Sequence, residues 1–164
     1  MGQIIVQSTF LELDSEKELS AEDRELLHEA RESLRGSYAP YSRFHVGAAV
    51  RLENDVIVRG NNQENASYPV GMCAERVTVF SAGANYPGIK IMALAIAAHS
   101  AEFVIDKPVA PCGACRQAIA EYEHRYKQPV RIILSGESGK ILVAESIRHF
   151  LPWMFSGDDL KRKK

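Results

Sequence analysis

The sequence is short of several things, and each shortage closes a class of function. Charge of one sign is missing: 20 Lys and Arg face 21 Asp and Glu, a formal net charge of -1. That leaves no general attraction to nucleic acid or anionic lipid. Long apolar runs are missing too, since residues 91 to 98 form the longest clear one, well below a bilayer span. The start of the chain has no basic stretch, long apolar run and small-residue cleavage site of a secretion signal. Internal repeats and low-complexity stretches are absent. The expected setting is therefore the cytoplasm, with no membrane and no nucleic-acid partner. Cysteine is scarce: the three present cannot all pair within one chain. In a reducing compartment a clustered set reads as metal ligands, not as a disulfide framework.

What remains is an ordinary globular composition, 46% apolar and 25% charged over 164 residues. That length suits one domain with a substantial core. Residues 1–19 read as an N-terminal extension and 20–164 as a single domain. Within the extension Ile4, Val6 and Phe10 fall on alternate positions with Ser8, which fits a short edge strand or a loosely packed arm. From Ser20 the period is helical. Ser20 can cap, Glu22 and Asp23 occupy the first turn, Leu26, Leu27, Ala30 and Leu34 share a face, and Gly36 can stop the helix. Strands are expected at 44–52 and 56–59 around a turn at 53–55, then at 91–98, 130–134 and 141–143. Helices are expected at 73–83 and 112–122, with a short one ending at Leu151. Strand–helix alternation predicts α/β architecture, a three-layer α/β/α sandwich around a mixed, mostly five-stranded sheet. Residues 60–71 form a polar, turn-rich loop suited to recognition. The Lys/Arg tail at 161–164 reads as a solvated end.

The chemistry lies in two short stretches. Cys112 and Cys115 have the Cys-x-x-Cys spacing that closes two thiolates on one metal from a helix start. Cys73 adds a third sulfur, and Glu75 follows two residues later. Three protein ligands leave one position of a tetrahedral zinc open for water, and Glu75 is placed to handle that water's proton. Helix starts favour thiolates, while three thiolates on one zinc carry excess negative charge. Arg76 is a candidate cation to offset it from behind the sulfurs. Each element has a plainer reading: a redox or structural Cys-x-x-Cys, a buried core thiol at Cys73, a helix-start acid at Glu75. His28, His45, His99, His124 and His149 show no ligand spacing and read as surface or hydrogen-bonded histidines.

Cys73-Ala74-Glu75 with Pro111-Cys112-Gly113-Ala114-Cys115 resembles the zinc signature of cytidine deaminases, in the free-nucleoside, three-cysteine form. The resemblance extends through Tyr38 to Ala49, Gly60 to Ala66, Tyr68-Pro69, Arg76 and Cys115-Arg116-Gln117, covering about residues 20 to 160. It implies one Zn2+ per subunit on Cys73, Cys112 and Cys115, with Glu75 as proton shuttle. Hydroxide then attacks C4 of cytidine or deoxycytidine, giving uridine or deoxyuridine and ammonia, a pyrimidine-salvage reaction. It implies that Asn62 and Glu64 hold the ribose 3′-hydroxyl, that Phe44 lines the base pocket, and that the backbone at Ala66 and Ala74 meets the base edge. It implies a homotetramer with shared active sites, in which Tyr68 and Phe155 reach a neighbour's substrate. Independently of the resemblance, Asn62 donates and accepts while Glu64 accepts from a hydroxyl and repels phosphate, which favours a free nucleoside. Plainer readings stay open here: turn chemistry for Asn62 and Glu64, core packing for Phe44, interface packing for Tyr68 and Phe155. Gln63 stands where the family pattern suggests an apolar residue, and residues 100–110 read as an insertion. Two alternatives follow: a deaminase of a modified cytosine nucleoside such as blasticidin S, and an inactive zinc-stabilised binding protein.

Overall fold

Alternation along one strand sets the layering. In β4 (Ile91–Ser100), Leu94 and Ile96 pack into one apolar cluster while Ala93, Ala95 and Ala97 pack into another. A strand buried on both faces needs a helix layer on each. The first cluster takes α2 (Ala74–Asn85) and α3 (Gly113–Tyr126) through Ala74, Val79, Ala82, Ile119 and Ala120. The second takes α1 (Ala21–Ser33) through Leu26, Leu27 and Ala30. The computed structural model describes residues 1–160; the tail at 161–164 lies outside the described residues.

The sheet is mixed and has six strands. They are β1 (Leu11–Leu13), β2 (Phe44–Leu52), β3 (Ile57–Asn61), β4, β5 (Arg131–Ser135) and β6 (Ile141–Ala144), in the order β1-β6-β5-β4-β2-β3. Among the described strands only β4 and β5 run parallel, joined by α3 as crossover. The five expected strands are all present. The sixth comes from the extension, and it forms at Leu11–Leu13, just past the alternating residues, pairing antiparallel with β6. Leu13 and Leu19 enter the α1-side core, which anchors the extension. Lys140 binds both Glu12 and Asp14 across the new edge. Residues 1–10 form no regular element.

Local chemistry explains the boundaries. Ser20 caps α1, its hydroxyl accepting from the Asp23 amide at 3.1 Å. Gly47 is required by close packing: a Cβ there would stand 2.1 Å from the Ala30 carbonyl of α1. Gly60 plays the same part for α2, where a Cβ would meet the Thr78 hydroxyl at 2.3 Å. Both helices thereby lie close against β2 and β3, and α2 delivers Cys73 at its start. The segment before Leu151 is a single 3-10 turn at Ile147–His149.

Candidate active site

Cys73 and Cys112 are the N-cap residues of α2 and α3, both in extended backbone conformation and neither making a side-chain cap bond. Their sulfurs are thus left free while the two helix dipoles point positive ends at them. Cys115 follows in the first turn of α3, fully buried. The Cys73–Cys112 sulfurs are 3.9 Å apart, the Cys112–Cys115 pair 3.4 Å, and all three lie within 4.8 Å of one another. Sulfurs at the usual Zn–S distance on a tetrahedron stand about 3.8 Å apart. The donor set therefore fits zinc in spacing and in chemistry. It is the one such cluster found among the described residues.

The electrostatics favour a thiolate at Cys73. A hydrogen bond from the Cys115 thiol draws the Cys73 pKa down to about 5, against the effect of burial, and Arg76 and Cys112 add to the pull. The same bond and burial push Cys115 up: one thiol keeps the proton its neighbour gives away. Arg76 Nη2 stands 3.6 Å from the Cys73 sulfur. Glu75, buried at 5% exposure in the first turn of α2, has its pKa raised by lost hydration and by the Cys73 thiolate. A carboxyl whose pKa is raised by burial is suited to exchanging protons.

A backbone clip brings the polar loop to this site. Gln63 exchanges two backbone bonds with Met72, at 2.9 and 2.8 Å, directly before Cys73. On its other side Tyr38 donates to the Asn62 carbonyl at 3.0 Å and accepts from Glu64 at 2.8 Å. In extended chain, Asn62 and Glu64 share one face and Gln63 takes the opposite one. Gln63 accordingly turns away, donating to the Gly36 carbonyl at 3.1 Å and to Asn61 Oδ1 at 2.6 Å. Its polarity is explained by the turn after α1.

Glu64 accepts the Tyr41 and Ser42 amides at 2.9 and 3.2 Å and also the Ser42 hydroxyl. Partial burial raises its pKa, but the Ser42 and Tyr41 bonds prevail and hold it below the usual carboxylate range. It lines a cleft of about 320 Å³ with Tyr41, Ser42, Asn65, Tyr68 and Gly71. Asn62 is tied to β2 by Val46 N–H and the Phe44 carbonyl. Phe44 opens β2, half-buried, with its ring 6.5 Å from Phe103 in the loop after β4. Ala74 is fully buried, whereas Ala66 is exposed in the loop. Tyr68 is 74% exposed and meets Tyr41 edge-on.

Phe155, 57% exposed, lies elsewhere: it lines a separate groove of about 670 Å³ with Arg76, Phe80, Gln117, Tyr122 and Leu160. The structure thus brings the zinc ligands, Glu75 and Arg76 together and clips the loop that carries Asn62 and Glu64 to the residue before Cys73. It does not bring Phe155 into the Glu64 cleft of the same subunit. Two roles escaped the sequence. Arg116 donates to the Pro111 carbonyl at 2.7 Å and the Phe150 carbonyl at 3.0 Å, fixing the loop before Cys112. His45 hydrogen-bonds Ser37, whose hydroxyl binds Asn62. Nothing in the spacing of either residue pointed to these partners.

Residues 20–128 match the family model for the cytidine and deoxycytidylate deaminase zinc-binding region. A cytidine deaminase of Halalkalibacterium halodurans is 39% identical over 140 residues, covering 84% of this chain and 98% of that protein. A crystal structure of cytidine deaminase from Burkholderia pseudomallei superposes with a TM-score of 0.69 at 37% identity, covering 80% of this chain and 97% of that one. A blasticidin-S deaminase of Bacillus cereus is similar at a lower level, 30% identical over 142 residues, covering 84% of this chain and 95% of that protein. With the thiol triad, the buried glutamate and these similarities in agreement, the chain belongs to the cytidine and deoxycytidylate deaminase family of zinc enzymes.

Proposed function

We propose that the protein deaminates cytidine and deoxycytidine hydrolytically, giving uridine or deoxyuridine and ammonia. The observation that carries this is Glu75, an ionisable carboxyl buried in the first turn of α2 beside three converging thiols. A purely structural metal site has no need of it, which argues against an inactive binding protein.

Cys73, Cys112 and Cys115 would hold zinc, which when bound makes water acidic enough to supply hydroxide near neutral pH. Glu75 takes one proton from the attacking water and delivers it to ring N3, then takes the second from the new C4 hydroxyl and returns it to the departing amine. Its raised pKa lets it hold and release that proton at little cost. Arg76 offsets the charge of the sulfurs. Asn62 and Glu64 hold a sugar hydroxyl between a donor and an acceptor, and the carboxylate turns phosphates away. Phe44 lines the base side, and the backbone at Ala66 and Ala74 meets the base edge. Gln63 faces the α1 turn, so its departure from the family pattern offers no support for a modified nucleoside.

The domain of residues 20–164 works as a homotetramer in the cytoplasm, with the extension joined to its sheet. The exposed rings of Tyr68 and Phe155, on separate clefts, suit pockets completed by a neighbour. Three free thiols suit a reducing compartment, and no described helix is long and apolar enough to cross a membrane.

The test is turnover. Zinc-loaded protein with cytidine should lose the cytosine absorbance and release ammonia in equal amounts. No turnover at full zinc content overturns the proposal. Sedimentation of the same sample reads the oligomer.

A further inference from the structure

Asn62 is half-buried, and its amide orientation is dictated by backbone groups. Val46 N–H, 2.8 Å away, can only donate, so it meets Oδ1; the Phe44 carbonyl, 2.9 Å away, can only accept, so it meets Nδ2. Ser37 Oγ lies 2.6 Å from Oδ1 and must therefore donate to it. His45 Nδ1 lies 2.9 Å from the same Ser37 oxygen. With the serine proton already spent, His45 Nδ1 must carry a hydrogen and donate. The direction of all three links follows from the chemistry of the ends.

The geometry points to Ser37 and His45 as positioning residues for the sugar-binding amide. They form a one-way relay, His45 Nδ1–H to Ser37 Oγ–H to Asn62 Oδ1. Both acceptor sites of Oδ1 and one Nδ2 hydrogen are then committed, and a single Nδ2 hydrogen stays free to donate. A sugar hydroxyl that accepts from Asn62 is left to donate to Glu64, whose carboxylate only accepts. Chained hydrogen bonds polarise one another, so the relay also strengthens the hold on Oδ1. His45 is the cross-strand partner of His99, ring centroids 6.2 Å apart, and His99 is bound by Glu137. The histidine end of the relay is thereby packed in place.

This inference rests on the proposed nucleoside activity for its purpose, though not for its geometry. Two measurements separate the failures. Nitrogen-15 NMR of the His45 ring should show hydrogen on Nδ1 in the wild type, and Ser37→Ala should release it to the commoner Nε2 form. An Nε2-only His45 in the wild type overturns the relay whatever the enzyme does. In steady-state kinetics, Ser37→Ala and His45→Leu should raise KM for deoxycytidine about 3- to 10-fold, the worth of one hydrogen bond, with the loss in KM and not in kcat. The KM advantage of deoxycytidine over 2′,3′-dideoxycytidine should shrink by the same factor. His45→Asn places an N–H where Nδ1 stood and should restore both values. An unchanged advantage in Ser37→Ala overturns the relay. A wild type with the expected tautomer that turns over neither nucleoside overturns the proposed activity and, with it, the sugar-positioning role.

Discussion

Arg76 Nη2 stands 3.6 Å from the Cys73 sulfur, one turn further along the same helix. Its Nε is buried with no hydrogen-bond partner among the described residues, and the Cys73 sulfur is the partner of its Nη2. Arg76→Gln removes the charge that offsets three thiolates, and zinc affinity is expected to fall about 10- to 100-fold. Competition against a chromogenic chelator measures this. An unchanged affinity would mean that the cluster does not feel the charge.

Glu75→Gln preserves size and removes the proton carrier. The variant should keep its melting temperature and one zinc per chain while kcat falls by about two to four orders of magnitude. Normal turnover would refute the proton-shuttle role.

Removal of zinc itself should loosen the starts of both α2 and α3. Cys112→Ala is expected to lower metal content and melting temperature together, because binding free energy is folding free energy for such a site. Metal analysis beside calorimetry checks both. A melting temperature indifferent to chelator would show that the helix starts hold without the ion.

Glu123 is a buried carboxylate of α3 that accepts from Val130 N–H at 2.8 Å, Ile147 N–H at 2.9 Å and the Ser146 hydroxyl at 2.8 Å. It joins α3 to the entry of β5 and the exit of β6. Glu123→Ala orphans these donors, and a loss of about 3 kcal/mol or more is expected in urea unfolding.

The loop after β4 should respond to acid. Glu137 accepts Ile105 N–H at 2.7 Å and binds His99. The Ile105 bond, against slight desolvation and aided by His99, holds its pKa below the usual carboxyl value. A carboxyl lowered in the fold stabilises above its unfolded pKa, and that contribution is lost as pH falls through the lowered folded one. The protection factors of amides in residues 101–110 should fall over that acidic window, and Glu137→Gln should abolish the pH step. Protection that stays constant with acidification in the wild type would dismiss the tie.

The metal site was legible because its residue types are few and their spacing short: Cys73, Glu75, Cys112 and Cys115 announce themselves. The five central strands and three helices were legible because burial on one or both faces writes a clear period. The extension was harder. Ile4, Val6 and Phe10 carry the alternating pattern, yet the strand forms at Leu11–Leu13, where Leu13 reaches the core and Lys140 can bind Glu12 and Asp14. Gln63 misled in the opposite way, since its departure from the family pattern looked like a pocket change. Its partners, Gly36 and Asn61, lie on the far face of the extended loop. Ser37 and His45 stayed hidden because their meaning depends on Asn62, which the fold alone brings near.

Phe10 meets Phe150 edge-on, and Arg116 lies over the other partner of that contact, 5.9 Å from the Phe150 ring, while holding the Pro111 carbonyl. Phe10, the residue before the first strand, is therefore linked to the turn before Cys112, three contacts away. Trimming the chain at Ser20 to reach a minimal catalytic unit would strip a plank from the sheet and slacken a stay on the metal-bearing turn in a single cut.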